Sequence, residues 1–345
     1  MQPSSCCSWI RSFSSQSIMT TWQTPHQDTM TSWMSVLKLF TVLLCFMAAT
    51  VFLKKPNSFL HIFQPADVDL CGKRLSKDDT WFMKRFKQSQ ELFLSDPFSL
   101  SEAAFHWWKL IHKDQCSLAT FRDKVNALFQ IFPPNPHVFE PRPEQCRTCA
   151  VVGNSINLKG SRYGRLIDHH HVIIRINHGR TKGYEADVGR RTTHRVMYPE
   201  SSVHLDDTTR LILFPFELKD LEWLIRVFTT RFPGPKYNSV KTDITGNINL
   251  VTVLNPAFMK YVHESWLDSE GGYPSTGFMT LILALHICGD VDVFGFGADK
   301  DGNWSHYFEK LLNKSHKTGE HPGAYEYKVI KELAKKQKIQ FYSGK

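Results

Sequence analysis

The sequence predicts an α/β fold, a three-layer α/β/α domain with a mostly parallel sheet, preceded by a helical region, a stem and a single transmembrane helix. From Cys149 onwards, short apolar runs alternate with longer stretches of helical periodicity. That alternation is typical of parallel strands whose crossover helices cover both faces of a sheet. The 345 residues, 42% of them hydrophobic, are enough for one large domain or two medium ones.

Three segments are predicted ahead of the folded domain. Residues 1–34 are rich in Ser, Thr and Gln without periodicity, which predicts a disordered cytoplasmic tail. Ser35–Leu53 carries a single charge, Lys38, and approaches the roughly 20 residues that span a bilayer, so we predict a retained signal-anchor. A cleaved signal peptide, with a shorter apolar region and an A-x-A-like site, is the alternative. Residues 54–70 are predicted to be a stem, and residues 71–345 the luminal domain.

Within the domain, the elements follow from hydrophobic spacing and turn residues. Apolar residues fall at helical spacing from Ser76 to Phe132, and the prolines that follow close this region. The predicted strands are Ala150–Val152, Val172–Ile176, Thr193–Tyr198, Leu211–Pro215, Ile248–Leu254, Val291–Phe296 and Lys338–Tyr342. The predicted helices between them are Asp220–Thr229, Ala257–Leu267, Gly277–Cys288 and Tyr325–Lys335.

The cysteines indicate an oxidising compartment. Five of them lie beyond the apolar segment, at Cys71, Cys116, Cys146, Cys149 and Cys288. We expect two disulfides and one free thiol behind a membrane anchor. A zinc or redox site at the C-x-x-C of Cys146 and Cys149 is the alternative, but a zinc site would need a second pair. Asn303 and Asn313 begin sequons, which predicts glycosylation at both.

The net charge of +9 does not by itself predict a nucleic-acid partner. No basic run is interleaved with stacking aromatic residues, so we expect no nucleic acid, and a luminal enzyme with anionic ligands explains the charge as well.

Small polar residues follow the ends of several predicted strands, where the ligands of parallel sheets bind. Asn154 follows the first strand in "CAVVGNSINLKG", Asn177 follows the second, and Tyr198 ends the third. The loop that begins at Gly153 lacks the second and third glycines of a dinucleotide-binding fingerprint. Each asparagine could be only a turn residue. Two of them without an acidic ribose ligand suit a pyrimidine nucleotide held by amide hydrogen bonds.

A helix start and an acidic pair provide two further candidates. Ser275 or Thr276 can cap the helix that follows, and its free N–H groups would suit an anion, although an ordinary buried helix explains the cap equally well. Asp290-Val291-Asp292 imitates the D-x-D of metal-dependent nucleotide-sugar transferases. These aspartates come at the start of a predicted strand rather than in the loop after one, so capping or surface roles are favoured over a metal site.

Four ordered motifs resemble those of a known family. The run from Cys146 to Asp187 resembles the large sialylmotif of eukaryotic sialyltransferases, and the segment from Asn255 to Gly297 resembles the small one. "HYFE" resembles the third motif and "HPGAYE" the very small motif. The details "AVVGNS", "YPES" and "FGFGAD" are nearest to the β-galactoside α2,3-sialyltransferases that act on Galβ1-3GalNAc.

The resemblance implies a type II Golgi membrane protein whose luminal domain is a GT-A-like variant. It implies transfer of sialic acid from CMP-sialic acid to the 3-hydroxyl of galactose, with inversion and without a metal or cofactor. His321 is then the general base, and His306 donates to the departing phosphate. The implied donor-binding residues are Asn154, Asn177, Tyr198, Tyr237, Ser275, Thr276, Gly277 and Gly297.

For the acceptor, the resemblance implies that Tyr273 faces the galactose. His112 ends "WWKLIH" where the relatives carry an acceptor-contacting glutamine, so we expect it to alter acceptor binding. The family pattern also pairs Cys149 with Cys288 and Cys71 with Cys146, leaving Cys116 alone.

Two other functions stay open on the residues alone. One is a metal-dependent nucleotide-diphosphosugar transferase that uses Asp290 and Asp292, and the other is a non-catalytic luminal carbohydrate-binding protein. The sequence also leaves open whether the acceptor is a glycoprotein or a glycolipid and whether the protein forms a homodimer.

Overall fold

The structure, a computed structural model, describes residues 79–97, 99–134, 146–230, 240–241, 243–310 and 318–344. The predicted tail, signal-anchor and stem lie outside these residues. Among the helices described, none is long and apolar enough to cross a membrane.

Seven strands form one sheet, and every ladder between neighbouring strands is parallel. The strands are β1 Thr148–Val152, β2 Val172–Ile176, β3 His194–Met197, β4 Arg210–Leu213, β5 Val251–Val253, β6 Asp290–Phe294 and β7 Gln340–Tyr342. Their order in the sheet is β5-β4-β3-β2-β1-β6-β7. All seven predicted strands are present, although the first residues of the predicted fifth strand form a 3₁₀ turn at Ile248–Leu250 instead.

Nine α-helices accompany the sheet in the described ranges. They are α1 Thr80–Arg85, α2 Glu102–Ile111, α3 Leu118–Phe129, α4 Gly164–His169, α5 Glu185–Val188, α6 Leu218–Thr229, α7 Pro256–Tyr261, α8 Thr276–Ile287 and α9 Gly323–Lys335. Two of them, α4 and α5, were not predicted because they are very short. The helix predicted over Ala257–Leu267 is continued beyond α7 by a π-helix at Val262–Trp266.

The sheet separates two hydrophobic cores, because successive side chains of a strand point to opposite faces. Cys149 and Val151 of β1 belong to the larger core, whereas Ala150 and Val152 belong to a second core on the other face. Strands buried on both faces read as continuous apolar runs. This is why the sequence predicted a three-layer domain.

The central helix of the larger core is α8, which packs on β1, β2, β3 and β6. Ser275 caps it, because its Oγ accepts a hydrogen bond from the Phe278 N–H at 3.1 Å. Every residue of α8 from Phe278 to Leu285 is buried. A helix that is apolar on all sides belongs in a core, and here it carries its amino end to the carboxyl edge of the sheet.

A disulfide joins the sheet to this helix. Cys149 in β1 is bonded to Cys288, the C-cap of α8, across 139 residues of sequence. The predicted pairing is therefore confirmed. Cys146 is also disulfide-bonded, and its predicted partner Cys71 lies outside the described residues. Cys116 is a free thiol.

The order of the sheet changes direction at β1 and β6, which are adjacent although far apart in sequence. Ligands of open parallel sheets bind in the crevice outside the strands at such a point. The loops after these strands meet closely here. The Gly153 N–H donates to the Phe294 carbonyl at 2.8 Å, and a Cβ on Gly153 would lie 2.4 Å from the Gly295 carbonyl oxygen. Only glycine permits this approach.

Candidate active site

Asn154 begins the loop after β1, and its side chain is fixed by the neighbouring strand. Its Nδ2 donates to the Ile176 carbonyl at the end of β2, at 3.1 Å. Its Oδ1 is buried and has no hydrogen-bond partner in the structure. Leaving a buried oxygen without a hydrogen-bond donor costs about 1–3 kcal/mol of folding free energy. Asn154 therefore presents an acceptor that a bound ligand with an N–H or O–H group would satisfy.

Asn177 follows β2 in the left-handed conformation, with φ 54°. Its backbone therefore has the turn conformation that was the alternative to a binding role. Its side chain is also positioned, because Oδ1 accepts from the Ser201 Oγ at 3.0 Å. Ser201 lies in the 3₁₀ turn after β3, so this bond ties together the ends of β2 and β3. Tyr198 comes directly before the same turn, and its backbone N–H donates to Ser201.

The segment that carries His306 lies against the loop after β1. The Ile156 N–H donates to the Ser305 carbonyl at 2.9 Å, and the Tyr307 N–H donates to the Asn154 carbonyl at 3.0 Å. His306 thus lies opposite Ser155 in an antiparallel bridge. The structure brings His306 beside Asn154, although 152 positions separate them in the sequence.

The His306 imidazole is partly exposed and has an acidic partner. Its Nδ1 lies 2.8 Å from the Glu309 Oε2, and its ring stacks on Phe308. One ring nitrogen is thus held by Glu309, which orients the imidazole beside the loop after β1.

The amino end of α8 has two unused N–H groups. The Ser275 N–H and Oγ both donate to Glu326, at 2.6 Å each, and Oγ accepts from Phe278. Within the described residues, the N–H groups of Thr276 and Gly277 have no acceptor. The polar groups of Ser275 are therefore committed within the protein. Thr276 and Gly277 supply the donors that a helix start offers to an anion.

Glu326 is buried in the first turn of α9. Burial raises the pKa of this carboxyl to about 7, and the two hydrogen bonds from Ser275 act in the opposite direction. Glu326 joins the starts of α8 and α9. It therefore fixes the loop before α9, which contains His321.

His321 and Tyr273 form the second half of the site. The His321 Nδ1 lies 3.1 Å from the Tyr273 carbonyl oxygen, and the two rings meet edge to face at 4.7 Å. A carbonyl only accepts, so Nδ1 carries the proton and Nε2 has the free lone pair. Burial lowers the pKa of His321, and the bond to Tyr273 only partly opposes this. The neutral ring therefore has the properties of a base.

His112, the C-cap of α2, lies on the other side of Tyr273. Its ring is 4.9 Å from the Tyr273 ring and 5.2 Å from that of Phe216, and its Nε2 is buried without a partner. Burial, and then the proximity of His321, lowers the pKa of His112 to about 4. His112 is therefore a neutral imidazole with one nitrogen free for a hydrogen bond.

Phe216 joins the two halves of the site, and the sequence analysis missed it. Its ring contacts those of Tyr198, His112 and Tyr273. It follows β4 at the carboxyl edge of the sheet. Its position directly after the predicted fourth strand could have identified it as a site residue. Ser201 was missed because a serine in "YPES" has no distinctive spacing.

Of the two remaining residues predicted to bind the donor, the structure describes Gly297 but not Tyr237. Gly297 has φ 98°, and a Cβ there would lie 2.6 Å from the Tyr327 ring, so glycine keeps this loop compact. Its carbonyl accepts from the Ser155 Oγ at 2.8 Å. Tyr237 lies outside the described residues, and its predicted phosphate contact remains a prediction.

Glycosylation at Asn303 remains a prediction, and the structure places this side chain in the interior. Asn303 is 6% exposed, and its Nδ2 donates to both carboxylate oxygens of Asp299. The nitrogen that would carry the glycan is therefore buried and engaged. Asn313 lies outside the described residues.

The expectation that Asp290 and Asp292 have capping or surface roles was wrong for Asp292. Both belong to β6, and Asp292 is 7% exposed with its Oδ2 at 3.2 Å from the Nε2 of buried His170. They lie before the carboxyl end of the strand, so the D-x-D alternative lacks its expected position. No group of three or more His, Cys, Asp or Glu side chains that could hold a metal occurs among the described residues.

The sequence profile described as Glycosyltransferase family 29 (sialyltransferase) matches residues 93–338. This range includes both halves of the site and most of the sheet. The chain belongs to glycosyltransferase family 29. The resemblance of the four motifs to those of sialyltransferases is confirmed.

Individual relatives agree with this family 29 assignment. The chain is 42% identical to CMP-N-acetylneuraminate-beta-galactosamide-alpha-2,3-sialyltransferase 1 of Sus scrofa over 287 residues, which are 82% of this chain and 83% of the pig protein. It is 41% identical to sialyltransferase 2 of that name from Rattus norvegicus over 268 residues, 76% of each chain. A crystal structure of a mammalian sialyltransferase in complex with Gal-beta-1-3GalNAc-ortho-nitrophenol is 41% identical, with a TM-score of 0.70, and covers 77% of this chain and 94% of its own.

Proposed function

We propose that this protein transfers sialic acid from CMP-sialic acid to the 3-hydroxyl of the galactose in Galβ1-3GalNAc, with inversion and without a metal. The observation that carries this proposal is the tautomer imposed on His321 in a site belonging to a sialyltransferase family. Its Nδ1 donates to the Tyr273 carbonyl, so Nε2 is available to take a proton from the acceptor hydroxyl. The likeness to the relatives named alpha-2,3-sialyltransferases supports the linkage.

The donor side has hydrogen-bonding groups that suit a nucleoside monophosphate. The unpartnered Asn154 Oδ1 can accept from the cytosine amine or a ribose hydroxyl. The N–H groups of Thr276 and Gly277 can donate to the phosphate or to the sialic acid carboxylate. Asn177 and Tyr198 complete this side. A monophosphate leaving group needs fewer opposing charges than a diphosphate, which is why hydrogen bonds suffice here.

Departure of the phosphate requires stabilisation of its developing charge. The His306 Nδ1 lies 2.8 Å from the Glu309 Oε2, which orients the ring. A charge-assisted hydrogen bond from His306 would strengthen as the bond to CMP breaks. Burial raises the pKa of the Tyr198 phenol, so it stays protonated and can donate as well. These groups take the place that a metal ion has in diphosphosugar transferases.

On the acceptor side, Tyr273 lies between the two histidines. His321 and His112 contact its ring from different directions, at 4.7 and 4.9 Å. We propose that galactose binds against Tyr273, with its 3-hydroxyl at His321 and another polar group at the His112 Nε2. CMP-sialic acid is β-linked, so one in-line displacement by this hydroxyl gives the α-linked product.

We also propose that the protein is a type II Golgi membrane protein and a GT-A-like variant, with residues 35–53 as its anchor and residues 71–345 in the lumen. The Cys149–Cys288 disulfide supports an oxidising compartment. Protease protection of the full chain in sealed Golgi vesicles tests this topology. Cleavage of the carboxyl-terminal part without detergent would contradict it.

The activity itself is tested by incubating the full chain with CMP-sialic acid and Galβ1-3GalNAc and measuring CMP release. We expect acceptor-dependent release that EDTA does not reduce. Loss of activity in EDTA with recovery in manganese would support the metal-dependent alternative. Acceptor binding without CMP release would support a carbohydrate-binding protein. Parallel assays with the disaccharide on a glycoprotein and on a glycolipid distinguish the two acceptor classes.

A further inference from the structure

Two arginines lie side by side in the interior, on the face of the sheet opposite the disulfide. Arg175 in β2 is paired in register with Arg195 in β3. Their neighbours Ile174 and Val196 belong to the larger core, so alternation places both guanidinium groups on the side of the second core. Arg175 is 0% exposed and Arg195 is 8% exposed. Such burial is uncommon for arginine unless its charge is paired.

Backbone carbonyls satisfy only part of this pair. The Arg175 Nε and Nη2 both donate to the Arg191 carbonyl, at 3.1 and 2.7 Å, and Nε also reaches the Thr192 Oγ1 at 3.0 Å. The Arg195 Nη1 donates to the carbonyls of Asn177 and Gly179, at 3.0 and 3.2 Å. All of these acceptors are uncharged.

One donor on each side chain remains unused. The Arg175 Nη1 and the Arg195 Nε are buried and have no hydrogen-bond partner. A buried charged donor without an acceptor is more costly than a neutral one. Two such donors on adjacent, like-charged side chains indicate that a group in the interior accepts from them.

No described carboxylate lies within 4 Å of either guanidinium group. Asp168 attracts Arg175 from farther away, but its oxygens accept from the backbone N–H groups of Arg190 and Arg191. Tyr307 is also near, and burial raises the pKa of its phenol to about 12, so it is neutral. Burial lowers the pKa of each arginine to about 10, so both keep their charge at neutral pH.

We propose that Arg175 and Arg195 together bind a small monovalent anion of chloride size in the interior, through the Arg175 Nη1 and the Arg195 Nε. A water molecule could accept from both nitrogens, but it carries no charge to offset two buried guanidinium groups that have no described carboxylate within 4 Å. An anion supplies both the acceptor and the charge. The sugar nucleotide is not this ligand, because the Arg175 side chain is fully enclosed.

The anion site is connected to the donor side through Arg195. This side chain holds the carbonyls of Asn177 and Gly179, which form the loop at the end of β2. Occupancy by an anion therefore stabilises this loop and the fold around it. The inference does not depend on the proposed reaction, because binding is measured without substrate.

The test is the thermal unfolding of the full chain in chloride, bromide or gluconate at constant ionic strength. Constant ionic strength removes screening, and gluconate is too large to enter. We expect the apparent Tm in saturating chloride or bromide to exceed that in gluconate by about 2–4 °C. The difference should disappear in Arg195→Met and persist in Arg190→Gln, which removes an exposed positive charge close by.

Because Arg195→Met could unfold the protein, bromide anomalous scattering from wild-type crystals provides an independent measurement. We expect an anomalous peak within hydrogen-bonding distance of the Arg175 Nη1 and the Arg195 Nε. Equal Tm values in chloride and gluconate would overturn the proposal. So would bromide peaks confined to the surface or a water molecule at the predicted position.

Discussion

At the scale of single residues, the site depends on which atoms are already committed to partners. The Tyr273 carbonyl accepts a hydrogen bond from the Nδ1 of His321, so Nε2 is the nitrogen that can act as a base. The N–H and Oγ of Ser275 are hydrogen-bonded to Glu326 and Phe278. The N–H groups that remain at the start of α8 are therefore those of Thr276 and Gly277. Two buried atoms of the site, the Asn154 Oδ1 and the His112 Nε2, have no hydrogen-bond partner in the protein and can bond to a ligand.

His321→Ala removes the proposed base. A positioned general base contributes about 10²–10⁴-fold in rate, so we expect kcat to fall by about that factor. CMP binding, measured by calorimetry, should be nearly unchanged, because His321 lies on the acceptor side. His106→Ala, an exposed histidine on α2, is the matched control. Full turnover by His321→Ala would place the base elsewhere.

His112→Gln changes the group on the other side of Tyr273. The pKa of about 4 means that the wild-type imidazole is neutral through the working range, so the substitution alters hydrogen bonding rather than charge. We expect the KM for Galβ1-3GalNAc to change severalfold while hydrolysis of CMP-sialic acid without acceptor is unaffected. His106→Gln should change neither quantity. If donor hydrolysis fell together with acceptor affinity, His112 would not belong to the acceptor side.

At the scale of elements, the site is assembled from the carboxyl ends of five strands, β1, β2, β3, β4 and β6, and the starts of two helices. β1 and β6 meet at the switch point, and α8 points its amino end at the same edge. The link between α8 and α9 is Glu326, which accepts two hydrogen bonds from Ser275. This link sets the position of the His321 loop relative to the helix start.

Glu326→Ala should therefore lower kcat without removing a group that touches substrate. Misplacement by about 1 Å at a catalytic centre can cost roughly 100-fold, so we expect a fall of about 10- to 100-fold. Glu326→Gln keeps one acceptor for the Ser275 N–H and should recover part of the loss. Glu332→Ala, on the same helix, is the control. If Gln and Ala variants were equally impaired, the hydrogen bonds to Ser275 would not be the reason.

Much of this arrangement could be predicted from the sequence, because strand ends and helix caps have local signals. Asn154 and Asn177 follow apolar runs, and the Ser275 cap precedes a long apolar helix. The partners of these residues could not be predicted, because they come from distant parts of the chain. Neither Ser201 nor the burial of Asn303 has a local signal, and the burial of Asp292 depends on its contact with His170, which is distant in the sequence.

At the scale of the whole molecule, the sheet carries different groups on its two faces. The larger core contains α8 and the disulfide, whereas the second core borders several buried polar groups. One of these is the ion pair of His170 and Asp292, which connects the end of α4 to β6. The His170 Nδ1 faces the carbonyls of Leu166 and Ile167, so both ring nitrogens have acceptors.

This pair should make the stability of the fold depend on pH. Burial alone would lower the pKa of His170, but Asp292 and the two carbonyls outweigh it, and the pKa is raised. The stabilisation is then complete below the unfolded pKa of about 6.5 and is lost as the pH rises through the folded pKa. We expect His170→Gln to flatten the dependence of Tm on pH between about pH 6 and 8, and the exposed control His169→Gln to leave it unchanged. Identical profiles for the wild type and His170→Gln would contradict this.

The most direct test of the central claim is the structure of the product formed from CMP-sialic acid and Galβ1-3GalNAc. Nuclear magnetic resonance of the purified trisaccharide gives both the linkage position and the anomeric configuration. A single displacement by the hydroxyl held at His321 predicts α-linked sialic acid on the 3-oxygen of galactose. Attachment to another oxygen, a β-linked product, or free sialic acid without any trisaccharide would contradict the account.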